Sequence, residues 1–159
     1  MKAKPIRHAA AALAAVALMA ASAALVPSLA GAARAHAAKA AKVMSRHTSR
    51  GTILVASNGH TLYEFSRDRL HQDSCMSVRG CASIWPPLLT SGRPVAGPGV
   101  QSSMLSTISL SGGRKQVTYA GHALYLYSAD SGPGETSYIG ERSFGGSWYG
   151  LTTSAHAVK

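Results

Sequence analysis

The 159-residue chain carries one motif twice, and that duplication constrains the fold more than any other feature. Residues 59–68, Gly-His-Thr-Leu-Tyr-Glu-Phe-Ser-Arg-Asp, lie over residues 121–130, Gly-His-Ala-Leu-Tyr-Leu-Tyr-Ser-Ala-Asp. Residues 85–91, Trp-Pro-Pro-Leu-Leu-Thr-Ser, lie over residues 148–154, Trp-Tyr-Gly-Leu-Thr-Thr-Ser. The first block is offset by 62 residues and the second by 63, so one single-residue gap aligns both. Gly59, Tyr63, Phe65, Asp68 and Trp85 are thus answered by Gly121, Tyr125, Tyr127, Asp130 and Trp148.

Each copy reads as strands. Residues 52–56 are β-branched and apolar, Asn58-Gly59 is a strong hairpin signal, and residues 60–65 alternate in polarity. In the second copy residues 116–119 lead through Ala120-Gly121 into residues 122–127, the same hairpin with a weaker turn. A further strand over 105–110 makes that copy a three-strand meander. Because strand side chains alternate, Tyr63 and Phe65 share one face, as do Tyr125 and Tyr127, while Leu62 and Leu124 point to the other. The predicted fold is all-β and mostly antiparallel. Two pseudo-equivalent hairpin repeats pack into one small sandwich- or barrel-like domain with irregular loops, and Trp85 and Trp148 plug a single hydrophobic interior.

The amino terminus is a short basic stretch followed by an Ala/Leu/Val/Met run over residues 9–26, then Pro27 and small residues at Ala30 and Ala32. That layout predicts a signal peptide over 1–32, with cleavage alternatives to 37, and no stable membrane span once it is removed. An uncleaved anchor is the competing reading, because the run approaches spanning length. Export makes the two cysteines, Cys75 and Cys81, a disulfide, for which the chain-entropy model gives about 2.4 kcal/mol. A metal site there would need further soft ligands.

The formal charge of +10 looks like a nucleic-acid signal until it is mapped. Eight of the sixteen basic residues precede Gly51, which leaves eight against six acidic ones in the rest of the chain. Nucleic-acid binding is not expected of a domain so nearly neutral. Residues 33–50, basic and poor in large apolar groups, read as a disordered linker that spaces the domain from the membrane or attracts anionic lipid or wall polymers. The duplicated domain spans 51–154, divided into copy one (51–91), a Gly/Pro-rich linker (92–103) and copy two (104–154), with a tail at 155–159.

The doubled Tyr-x-aromatic-x-x-Asp motif, the Cys-Ala-Ser-Ile-Trp-Pro-Pro-Leu stretch at 81–88 and Gln-Val-Thr-Tyr-Ala-Gly-His-Ala-Leu-Tyr at 116–125 together resemble the bacterial secreted repeat of unknown function family, also described as predicted lipoproteins with that motif. The resemblance covers residues 51–153 and implies a secreted, cell-envelope protein without naming an activity. No cysteine precedes Cys75, so the lipid anchor of the lipoprotein members is not expected here; a soluble secreted or wall-associated form is.

Four motif residues invite chemistry. Asp68 and Asp130 could act as acid and base in one cleft, but at the ends of strands Asp more often accepts backbone N–H bonds in a turn. His60 and His122 could join them in a mixed metal site, copper among the candidates, or stand as solvated strand-edge residues. Tyr63, Phe65, Tyr125, Tyr127, Tyr149 and the indoles could line a ligand surface, although their strand spacing favours a core. No catalytic signature is present: Gly-x-Ser-x-Gly, His-Glu-x-x-His and Ser-x-x-Lys are all missing. The expected function is therefore non-enzymatic and cofactor-free, binding or scaffolding an envelope or extracellular component, with a metal-binding or redox accessory role as the alternative.

Overall fold

The computed structural model describes residues 39–159, so the predicted signal peptide lies outside the described residues. In chain order the strands are β1 (Lys42–Thr48), β2 (Gly51–Ala56), β3 (Tyr63–Phe65), β4 (Leu89–Thr90), β5 (Val95–Ala96), β6 (Leu105–Ser109), β7 (Lys115–Tyr119), β8 (His122–Ala123), β9 (Arg142–Ser143), β10 (Gly146–Leu151) and β11 (Ala157–Val158). One short helix, α1 (Cys81–Ile84), sits in the loop of copy one. The strands form three sheets, ordered β2-β1-β5, β11-β10-β3 and β4-β7-β6, with β9 beside β10 and β8 beside β7. Among the described residues all strand pairings are antiparallel except β1 with β5, and the sheets do not close into a barrel.

Both predicted turns form, each around a glycine in the left-handed region. Gly59 has φ +85°, and Ala56 N–H donates to the His60 carbonyl at 2.8 Å. At the second turn Gly121 has φ +87° and Ala120 also lies at positive φ, a position that Asn occupies more readily than Ala. This is why the sequence signal was weaker there.

After each turn the chain leaves its own hairpin and pairs with the other copy. Phe65 and Tyr63 on β3 stand opposite Trp148 and Gly150 on β10, while Leu89 on β4 stands opposite Gln116 on β7. Tyr63 and Tyr125 exchange both backbone hydrogen bonds, each at 2.9 Å, and so lie on the pseudo-twofold relating the copies. Pro87 bridges to Tyr125 as Gly150 bridges to Tyr63, which is the same contact under exchange of copies. The tryptophan segment of each copy thus takes part of its pairing from the other, while Trp85 N–H donates to the Cys81 carbonyl at 2.7 Å and Trp148 N–H to the Glu141 carbonyl at 2.9 Å within their own copies.

Period-two alternation then sorts the side chains into two clusters rather than the single interior expected. Tyr63, Phe65, Trp85, Tyr125 and Trp148 form an aromatic core with both cysteines, Ile53, Val55 and Ile139. Val43, Leu54, Leu62, Leu88, Leu105, Val117, Leu124 and Leu151 form a mainly aliphatic one that also holds Tyr119. The two cores lie on opposite faces of the shared strands, because neighbouring residues such as Leu62 and Tyr63 must point opposite ways.

Three predicted boundaries need correction. The basic stretch assigned to a disordered linker over 33–50 contains β1, paired with β2 through six residue pairs from Val43↔Ala56 to Thr48↔Gly51. Its charge misled: Lys42, Arg46 and His47 face solvent while Val43 is fully buried. The repeat offset of 62 already places Val43 over Leu105, and both enter the aliphatic core, so β1 is the first strand of copy one as β6 is of copy two. Residues 33–38 of that linker lie outside the described residues. The linker at 92–103 contains β5, which pairs in parallel with β1, and the tail at 155–159 contains β11, which pairs with β10. Both are two-residue strands, too short to leave an alternation in the sequence.

Candidate functional site

The duplicated motif builds a pair of cross-copy locks. The Tyr125 hydroxyl donates to Asp68 Oδ2 at 2.7 Å, and the Tyr63 hydroxyl donates to Asp130 at 3.2 and 3.4 Å to its two oxygens. Each tyrosine therefore reaches the aspartate of the other copy, over 57 and 67 residues of chain. Burial, together with the adjacent carboxylate, pushes both phenols far above their ordinary range, so they remain donors.

The two aspartates are not equivalent. Asp68 is half-buried, and its Oδ1 also accepts from Ser74 N–H at 2.8 Å and Ser74 Oγ at 2.7 Å, tying the tyrosine lock to the disulfide loop. This includes the turn role expected from sequence. Asp130 is buried, and among the described residues Tyr63 is its only side-chain donor and no backbone N–H reaches it. Desolvation pushes its carboxyl up to about 6, against the pull of the Tyr63 hydrogen bond and nearby His60. Burial also raises Asp68, while Ser74 and Tyr125 lower it.

Between the locks lies a column of rings. Phe65 stacks on Trp148 at 4.2 Å and Trp148 on Trp85 at 4.0 Å and 4°, while Trp85 meets Tyr127 at 4.3 Å and Tyr127 meets Tyr138 at 4.1 Å with their planes tilted by 36° and 48°. Tyr63 meets Trp85 edge-on at 5.1 Å, and Tyr125 meets Trp148 at the same distance. Such pairs contribute about 0.5–1.5 kcal/mol each beyond their buried area. Both indole N–H groups donate to Ser143 Oγ, at 3.2 and 3.1 Å. Ser143 lies on β9 of copy two with no repeat counterpart, so no sequence signal marked it. The five motif aromatics of the core are at most 2% exposed; Tyr127 and Tyr149 are half-buried.

Cys75 and Cys81 are bonded, with Cα atoms 5.4 Å apart, and both are fully buried against the aromatic core. The histidines separate by partner. His122 Nδ1 lies 2.5 Å from Glu64 Oε2, and burial raises the Glu64 carboxyl while His122 pulls it back down. His60 lies instead near Asp130. His60, His122, Asp68 and Asp130 do not gather into one mixed site: among the described residues no three His, Cys, Asp or Glu side chains are placed to hold a metal ion. Glu64 went unnoticed from sequence because its counterpart in copy two, Leu126, is apolar.

Recesses open elsewhere. Three adjoin β4 and β7, and a fourth lies at the β9–β10 turn around Phe144. None is lined by a motif tyrosine, aspartate or histidine. No helix among the described residues is long and apolar enough to cross a membrane.

No curated protein and no solved structure matches the chain. A family model matches it twice, over residues 44–89 and 106–152, and each match starts inside β1 or its counterpart β6 and runs through the motif to the tryptophan segment. With the two matched stretches coinciding with the two interlocked copies, the chain belongs to the family described as secreted repeat of unknown function.

Proposed function

We propose that this protein is a non-enzymatic extracytoplasmic domain that binds or scaffolds a component of the cell surface. The observation that carries the reading is the fate of the motif. Its tyrosines and aspartates bond across the copies and its tryptophans stack on each other inside the fold. Residues so engaged are architecture, and recognition then falls to the outer surface. The disulfide fits a secreted form.

The test is retention. Purified secreted protein is incubated with cell-wall material and separately with membranes, and retention on one of them is expected. Loss of retention on both sinks the proposal. Native mass spectrometry with copper, zinc and calcium provides a second check. A stoichiometric ion lost on His60→Ala plus His122→Ala replaces this reading with a metal-binding one.

A further inference from the structure

Charge is segregated on the folded surface. The chain has six acidic residues, and none of them lines the three recesses around β4 and β7. Lys39, Lys42, Arg93, Arg114 and Lys115 line them instead. The recesses measure about 380, 280 and 180 Å³ and adjoin: Lys39 and Leu89 border two of them, as does Lys115. Backbone pairing gathers the strip. Thr90 stands opposite Lys115, Ala41 N–H donates to Thr90 Oγ1 at 3.0 Å, and Val95 N–H donates to the Ala41 carbonyl at 2.8 Å. Among the described residues, none of the five cations makes an ion pair.

We propose that this strip is a binding groove for a linear phosphate-bearing polymer of the cell envelope, of the polyol-phosphate kind. The inference rests on the surface-binding reading above and names the ligand class. Five unneutralised cations along adjoining concavities concentrate positive potential where a polyanion can lie. Arginine forks match phosphate oxygens, and lysines supply point charges between them. The shape selects a chain: a bilayer is flat and cannot enter recesses, whereas a flexible polymer can follow them. The lining also argues against nucleic acid, because no aromatic side chain borders any of the three recesses to stack a base. Leu89, 42% exposed at the junction, offers carbon surface to a polyol backbone.

Labelled poly(glycerol phosphate) titrated into the purified secreted chain tests this. Binding should weaken about fiftyfold between about 50 and 200 mM salt, the response expected for about four contacted phosphates. Arg93→Ala, Arg114→Ala and Lys115→Ala together should weaken it about tenfold or more and flatten the salt dependence. Arg50→Ala, Arg69→Ala and Arg79→Ala together remove the same charge away from the recesses and should leave binding unchanged. Near-ultraviolet circular dichroism of the stacked indoles confirms that both triple variants are folded. Equal weakening by the two triples, or none by the groove triple, overturns the groove. Equal or tighter binding of phosphatidylglycerol vesicles, of oligothymidylate with the same number of phosphates, or of polyglutamate overturns the ligand class. In each of these cases wild-type retention on envelope material still stands, so failure of the groove is distinguishable from failure of the surface-binding reading.

Discussion

Replacing Tyr63 with phenylalanine removes the one side-chain donor to a buried carboxylate, and the cost should depend on pH. Burial pushes the Asp130 carboxyl up to about 6 in the folded protein, so at pH 8 protonating it costs about 3 kcal/mol. That figure caps the penalty of orphaning the charge, since the group can always take up a proton instead. To it is added the loss of a hydrogen bond to the neutral acid, about 0.5–1 kcal/mol. Tyr63→Phe should therefore cost about 2–3 kcal/mol at pH 8 and only about 0.5–1 kcal/mol at pH 5, where Asp130 is already protonated. Tyr125→Phe is the internal control. Ser74 still donates twice to Asp68, which keeps that carboxylate held, so its penalty should be about 1–2 kcal/mol and vary less with pH. Urea unfolding of wild type and both variants at pH 8 and pH 5 reads the difference as midpoint shifts at constant m. A Tyr63→Phe penalty equal at the two pH values, or smaller at pH 8, would refute the reasoning.

The sign for wild type follows from the same group: a folded-state carboxyl raised to about 6 stabilises the fold fully below about pH 4, and that contribution is lost as pH rises through 6. A carboxyl titration of Asp130 by NMR should show its midpoint near 6 and not near 4. Reducing Cys75–Cys81 should remove about 2 kcal/mol and lower the melting temperature by several degrees; an unchanged melt with two titratable thiols would contradict it. Truncation to residue 51 deletes β1 and the fully buried Val43, and should leave a chain without cooperative unfolding by calorimetry; a native-like transition would show β1 to be dispensable. Gly59→Ala should cost more than about 1 kcal/mol, because φ is +85° and the added Cβ would lie 2.7 Å from Pro133 Cβ.

Local signals in the chain were sufficient for the hairpins, the repeat, the family and the disulfide partners. Asn58-Gly59 announces a turn by its own conformational preference, and alternation along 60–65 and 122–127 sorts aromatic from aliphatic side chains whatever they later touch. The candidate site was less legible. Tyr63 and Asp68 sit together in one motif, yet each bonds across to the other copy, and nothing in the spacing says so. The short strands β5 and β11 owe their existence to a neighbour's unpaired backbone edge, which has no sequence period.

Composition misread β1, because exposed Lys42 and Arg46 outweighed one buried valine in the average. The amino-acid order alone determined that two copies of a strand-turn-strand unit exist, and which side chains of each share a face, since both follow from local geometry. Tertiary structure alone decided that the copies interlock, that Trp85 stacks on Trp148 beside a shared Ser143, and that five basic residues from three segments line adjoining recesses. Those outcomes depend on contacts between residues far apart in the chain, where backbone hydrogen bonds left open by one copy are closed by the other.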